Sequence, residues 1–90
     1  VMKFFKGRKI VTQDNCKIGD LVVRGRDWEW WDQDIHKGKE MVGRIVEIDC
    51  RWVWVRWENG TKYNYRVGVI IYTGLVYDLV FYEKIIIESL

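Results

Sequence analysis

An Asn-Gly pair between two strand-forming runs constrains the fold of this chain more than any other feature. Asn59 and Gly60 follow Arg-Trp-Val-Trp-Val-Arg-Trp-Glu and precede Thr-Lys-Tyr-Asn-Tyr-Arg. β-branched and aromatic residues favour strands, and Asn-Gly accepts the positive φ values that a two-residue hairpin turn needs at both positions. Residues 51–66 are therefore predicted to form a β-hairpin, and the remaining strands have to extend its sheet.

Three more short strands are predicted, at residues 20–24, 42–48 and 77–82. No segment shows a convincing 3.6-residue apolar period, so no helix is expected. Ninety residues supply one modest core. The predicted fold is all-β: a small SH3-like barrel of about five short antiparallel strands, with one long ordered loop over residues 25–40.

The central run of the hairpin divides into two faces, because side chains alternate along a strand. Val53, Val55 and Trp57 share the face assigned to the core, whereas Trp52 and Trp54 share the outer face. The residues expected to be buried are Val23, Ile45, Val53, Val55, Trp57, Tyr65 and Leu79.

Two extensions flank the predicted domain at residues 18–82: residues 1–17 and residues 83–90. They contain apolar side chains such as Phe4, Phe5 and three isoleucines at 85–87. Because exposed apolar patches favour association, the N- or the C-terminal extension is expected to pack on the barrel and cover Trp52 and Trp54. A homodimer through these two rings is the alternative.

The residue inventory argues against catalysis. Cys16 and Cys50 are far apart in sequence, and His36 is the single histidine. Such a set predicts neither a zinc site nor a dense disulfide framework. Neither a phosphate-binding Gly-rich motif nor a nucleophile elbow is present, so we expect a binding module without cofactor or metal.

Targeting signals are not evident either. The apolar runs fall short of the ~20 residues of a membrane helix. The first ten residues are basic but lack the long apolar run and cleavage site of a signal peptide. A cytoplasmic or nuclear chain is therefore expected, with two reduced thiols, or one disulfide bridge as the alternative.

The long loop interleaves acids with aromatic rings. Residues 27–34 contain four carboxylates and three Trp with no basic residue, whereas residues 1–26 contain seven basic and two acidic residues. Rings offer contact area and cation–π attraction, and carboxylates steer cations. The pattern indicates an acidic, aromatic-lined groove for a basic or amphipathic peptide.

A structural interpretation of the same loop competes with this one. Asp27, Gln33 and Asp34 are expected to satisfy turn amides, and Arg24 or Arg66 to pair with one of them. Trp28 is assigned to the core. Trp30 and Trp31 are adjacent and cannot easily both be buried, so Trp31 is expected to be exposed.

Four motifs in order make the chain resemble the Mind bomb/HERC domain of large E3 ubiquitin ligases. They are Gly-Asp-Leu-Val-Val-Arg-Gly-Arg-Asp-Trp-Glu-Trp-Trp-Asp-Gln-Asp at 19–34, Val-Arg-Trp-Glu-Asn-Gly at 55–60, Tyr-Arg-Val-Gly at 65–68 and Tyr-Asp-Leu at 77–79. The resemblance implies an SH3-like barrel that recruits proteins, with the ubiquitin-transferring machinery elsewhere in the parent chain.

Two departures from the family pattern stand out. Ile35 and His36 replace a Gly-Gly pair, and residues 69–76 are longer and more apolar than the usual link to Tyr-Asp-Leu. These departures bear on the partner more than on the fold.

The predicted function is a non-enzymatic protein-interaction module of a large E3 ubiquitin ligase, which recruits substrate or partner peptide segments through the acidic, Trp-rich loop. The alternative is an SH3-like module for nucleic acid or modified histone tails, although an acidic loop repels phosphate. The candidate peptide-binding residues are Trp28, Glu29, Trp30, Trp31, Asp32, Gln33, Asp34 and Arg66.

Overall fold

The computed structural model describes residues 5–83, which form nine β-strands and no helix. In chain order the strands are β1 (Phe5–Ile10), β2 (Leu21–Arg24), β3 (Ile35–His36), β4 (Lys39–Glu40), β5 (Gly43–Asp49), β6 (Trp52–Trp57), β7 (Lys62–Ile71), β8 (Gly74–Tyr77) and β9 (Leu79–Glu83). Seven of them form one sheet in the order β1-β9-β2-β5-β6-β7-β8, in which all neighbours are antiparallel. The all-β prediction is confirmed.

Each of the five predicted strands has a counterpart, namely β2, β5, β6, β7 and β9. The long loop differs from its prediction, because β3 and β4 form a separate two-stranded ribbon within it. Lys37 and Gly38 connect the two strands with φ values of 52° and 76°. This left-handed turn lets Ile35 pair with Glu40.

The predicted hairpin is present, but its turn has three residues between the paired Trp57 and Thr61. The Trp57 amide donates to the Thr61 carbonyl at 2.8 Å. Of the two predicted turn residues, Asn59 and Gly60, only Gly60 has a positive φ, 89°. A positive φ at the third loop position is typical of three-residue hairpins, whereas the two-residue turn requires it at both positions. The Asn59 side chain caps this loop by accepting from the Thr61 hydroxyl at 2.7 Å.

β8 and β9 form one chain run that changes its pairing partner at Asp78. β8 pairs with β7, and β9 pairs with β2 and β1. The Asp78 amide donates to the carbonyl of Arg66 at 2.9 Å, which ties the junction to β7. The run therefore links the β7 end of the sheet to the β2 end, and closure into an SH3-like barrel stays a prediction.

All seven residues predicted to be buried are buried in the structure. Trp52 and Trp54 lie on the opposite face of β6 and are half-buried, as the alternation predicts. The N-terminal extension adds Val11 to the core, and β1 pairs with β9 at the sheet edge. Cover of Trp52 and Trp54 by the extensions stays a prediction. Phe4 and the isoleucines at 85–87 lie outside the described residues.

Removal of residues 1–11 is expected to lower the melting temperature by roughly 10 °C or more. Burial of one Val side chain contributes about 1.5–3 kcal/mol, and each 1 kcal/mol shifts Tm by roughly 4–8 °C in a domain of this size. Val11 is fully buried, and its amide donates to the Leu79 carbonyl at 3.0 Å. Thermal circular dichroism would measure the change, with Val11→Ala in the full chain as the milder comparison. An unchanged Tm after truncation would contradict this role.

Candidate functional site

An ion pair between Arg24 of β2 and Asp34, the last residue of the acidic loop at 27–34, holds this loop against the sheet. The Nε and Nη2 atoms of Arg24 donate to the Asp34 carboxylate at 2.7 and 2.5 Å, and Nη2 also donates to the Trp31 carbonyl at 3.0 Å. The hydrogen bond to Asp34 raises the pKa of Arg24. Asp34 is buried, which confirms the structural interpretation of this residue.

A second carboxylate, Asp78, connects the loop to β7. Asp78 is fully buried and accepts from the Arg66 side chain, with Nη2 at 2.7 Å and Nε at 3.0 Å. It also accepts from the Arg66 amide at 2.8 Å and from the Trp30 indole at 2.9 Å. The hydrogen bond to Asp78 raises the pKa of Arg66. Arg66 thus holds the loop in place, and its contact with a peptide stays a prediction.

The first two Trp rings of the loop pack against the core and the two arginines. Trp28 stacks on Tyr65 with centroids 5.1 Å apart, and the Arg24 guanidinium lies 5.2 Å from the Trp28 ring. Trp30 has the Arg66 guanidinium 5.1 Å from its ring centroid. Both rings are half-buried and pack on the core cluster. The assignment of Trp28 to the core is therefore confirmed, and Trp30 shares that structural role.

Asp27 and Gln33 complete the frame. An Asp27 carboxylate oxygen accepts from the Tyr77 amide at 2.8 Å. The Gln33 side-chain carbonyl accepts from the Tyr65 hydroxyl at 2.8 Å, and that hydroxyl accepts from the Trp57 indole at 2.9 Å. Burial raises the pKa of Tyr65 well above its ordinary value, so its hydroxyl stays a donor. Both loop residues have the expected structural role, although Gln33 accepts from a hydroxyl rather than from the turn amide expected of it.

Three of the predicted site residues face solvent: Glu29, Trp31 and Asp32. Trp31 is 87% exposed and has a positive φ of 47°. Glu29 has a 64% exposed side chain, with one carboxylate oxygen 3.3 Å from Arg66 Nη2. Together with Trp30 and Gln33, these three residues line an open cleft of about 410 Å³. The loop therefore presents one exposed ring beside two carboxylates on a rigid frame.

A second cleft, of about 280 Å³, lies between the loop and the β7–β8 hairpin and was not predicted. Its residues from the loop are Arg26, Asp27, Trp28 and Glu29, and its residues from the hairpin are Ile71, Thr73, Leu75 and Val76. The sequence signal that pointed here was the unusual length and apolar character of residues 69–76.

The remaining reactive side chains do not gather into a site. Cys16 is half-buried and Cys50 is exposed, both are free thiols, and burial raises the pKa of Cys16. His36 is exposed on β3. Within residues 5–83, no three His, Cys, Asp or Glu side chains are grouped to hold a metal ion. The same residues contain no helix long and apolar enough to cross a membrane.

Comparisons with known proteins find similarity to one protein family and to several E3 ubiquitin-protein ligases. Residues 19–82 match the family model Mib_herc2. The chain is 39% identical over 78 residues to the E3 ubiquitin-protein ligase MIB2 of Gallus gallus, which covers 78% of this chain and 8% of that protein. It is 50% identical over 48 residues to the E3 ubiquitin-protein ligase hecd-1 of Caenorhabditis elegans, covering 52% of this chain and 2% of that protein. It is 41% identical over 54 residues to the E3 ubiquitin-protein ligase HERC2 of Homo sapiens, covering 58% of this chain and 1% of that protein. The chain thus spans 8% or less of the length of these relatives.

Proposed function

The chain belongs to the Mib_herc2 family, and from this premise we propose that it is a non-catalytic protein-interaction module of an E3 ubiquitin ligase. In this proposal it recruits peptide segments of substrates or partners through the acidic, Trp-rich loop, in the cytoplasm or nucleus. The observation that carries the proposal is the exposed Trp31 ring beside Glu29 and Asp32. The Mind bomb/HERC resemblance read from the four motifs is confirmed by the family match.

The loop has the physical properties of a prepared binding surface. Trp31 offers a large apolar area whose side chain has few rotamers to lose on binding. Its neighbours are held by the Arg24–Asp34 and Arg66–Asp78 ion pairs, so little backbone ordering remains to oppose association. The two carboxylates beside the ring favour a Lys or Arg side chain, which the ring face also attracts.

Trp31→Ala and Glu29→Lys are each expected to weaken peptide binding by about 1–3 kcal/mol, the range for a hot-spot side chain. Trp31→Ala should leave the fold unaltered, because the side chain is 87% exposed. Glu29→Lys also replaces the ion pair with Arg66 by two like charges, so the melting temperature of this variant is measured alongside its affinity. Isothermal titration calorimetry with peptides from candidate ligase substrates would measure the loss. Tyr63→Ala provides the matched control, since Tyr63 is an exposed ring on β7 outside both clefts.

The alternative functions give distinct results in the same assay. Serine at all four of Lys3, Lys6, Arg8 and Lys9 should leave peptide affinity nearly unchanged. Nucleic-acid binding would instead require response to a single-stranded oligonucleotide, with affinity that falls steeply as salt rises. That response, with none to any peptide, would contradict the proposal.

Methylated lysine and self-association have weaker support. A methyl-lysine cage needs several free ring faces, whereas Arg24 and Arg66 already lie over Trp28 and Trp30. A homodimer through Trp52 and Trp54 would use half-buried rings, of which Trp54 has the Lys62 amine 5.2 Å from its ring centroid. The unmodified basic peptide is therefore the preferred ligand.

A further inference from the structure

The tip of the β7–β8 hairpin exposes bulky apolar side chains. Ile70 is 69% exposed and Tyr72 is fully exposed, and Ile71 and Leu75 are also exposed. β7 pairs with β8 up to Ile71 and Gly74, so the tip is ordered backbone rather than a loose loop. Contiguous exposed apolar side chains on a small soluble domain mark an interaction site.

The hairpin shares a cleft with the acidic loop. Ile71 and Leu75 line the second cleft together with Asp27 and Glu29. Glu29 also lines the cleft around Trp31, so the two clefts meet at this residue. An extended chain advances about 3.3 Å per residue, so one short peptide has the reach to enter both.

We propose that the β7–β8 hairpin is the apolar half of the peptide-binding surface, and that its ligand is a segment with a Lys or Arg a few residues from a bulky apolar residue. The inference rests on the proposed function, because it extends the same surface. The basic residue contacts Glu29 and Asp32 beside Trp31, and the apolar residue enters the cleft beside Ile71 and Leu75.

The charges of the two clefts favour such a peptide over a second copy of this chain. Asp27, Glu29 and Asp32 outnumber Arg26, whose Nε lies 3.4 Å from an Asp27 oxygen. A two-fold symmetric contact sets the same patch of each copy against the other. It would bring Glu29 of each copy near carboxylates of the other, and such like-charge contacts oppose association. A basic and apolar peptide complements both clefts.

A random 12-residue peptide library displayed on phage, screened against the full 90-residue chain, would test the proposal. Recovered peptides should carry Lys or Arg within a few residues of a bulky apolar side chain. The tightest peptide is then measured by fluorescence anisotropy against the Ile71→Ser/Leu75→Ser double variant. We expect a loss of about tenfold or more, as for truncation of hot-spot side chains. Ile18→Ser, at another exposed apolar residue outside both clefts, is the control and should change affinity less than about twofold.

Tyr72→Ser provides a second hairpin variant whose fold is safe, because Tyr72 is fully exposed. Equal affinity for both hairpin variants and the unmodified chain, with a loss for Trp31→Ala, would overturn this inference and leave the proposed function standing. Recovery of no peptide would overturn both. Sedimentation showing that the chain is a dimer which the hairpin variants dissociate would also overturn the inference, by identifying a second copy as the occupant.

Discussion

Asp78→Ala is expected to lower the free energy of unfolding by about 3–5 kcal/mol, the cost of removing one partner of a buried ion pair. Asp78 is fully buried and accepts hydrogen bonds from the Arg66 side chain, the Arg66 amide and the Trp30 indole. Its loss leaves a buried guanidinium without its main counter-charge and two further donors without an acceptor. Since small domains have total stabilities of about 5–15 kcal/mol, much of the stability is at stake.

Equilibrium urea unfolding followed by Trp fluorescence would measure this change. Asp49→Ala is the matched control, because Asp49 is exposed at the end of β5 and should cost less than about 0.5 kcal/mol. Asp78→Asn preserves the size of the side chain and removes its charge, so it reports on the charge even where the Ala variant does not fold. A stability of Asp78→Asn equal to that of the unmodified chain would contradict the ion-pair argument.

Asp78→Asn, the milder variant, is also expected to disturb the acidic loop. The Asn oxygen can still accept from the Trp30 indole, but the amide nitrogen that replaces the second carboxylate oxygen cannot accept from Arg66 Nη2, which donates to Asp78 at 2.7 Å. Glu29, 3.3 Å from the same Nη2, is then the remaining carboxylate beside Arg66. The frame that presents Trp31 depends on these contacts. Stability and peptide affinity are therefore coupled at Asp78, whereas at Trp31 they are separable.

The fold followed from the sequence where the signal was local. Alternation along β6 identified Val53, Val55 and Trp57 as core residues, and the Asn-Gly pair located the hairpin. An extra strand or hairpin within residues 1–12 was one expectation, and β1 lies there, whereas β3, β4 and β8 were not predicted as strands although β3–β4 and β7–β8 pair locally. β3 and β4 form only because Lys37 and Gly38 adopt a left-handed turn, which no apolar pattern encodes.

The candidate site also has one feature that the sequence predicts and one that it does not. The exposure of Trp31 was predictable, because two adjacent bulky rings seldom fit one core. The role of Asp78 was not, because its partners Arg66 and Trp30 lie 12 and 48 residues away in sequence. A single acid in an apolar strand shows that some partner must exist, since buried carboxylates need donors, but it does not show which one.

Close packing around Gly43 predicts a large effect for a small substitution, Gly43→Ala. Gly43 is buried on β5, where it pairs with Val22 of β2 and Trp57 of β6. A Cβ atom at position 43 would overlap Val55 Cγ1 and lie 2.9 Å from two ring carbons of Trp57. Because both neighbours are themselves fully packed, the strands have to move apart. We expect a loss of about 3 kcal/mol, at the upper end of the cost of overpacking.

The Val55→Ala background separates overpacking from backbone effects. Val55→Ala removes the atom that the new Cβ overlaps, so Gly43→Ala should cost at least about 1 kcal/mol less in that background, a coupling typical of residues in contact. Gly38→Ala tests the backbone alone: an added Cβ there meets no atom, but φ is 76°, so a loss of only about 1–2 kcal/mol is expected. Chemical denaturation of the four chains of the cycle gives the coupling directly. Strict additivity of Gly43→Ala and Val55→Ala would show that close contact with Val55 is not what requires glycine at position 43.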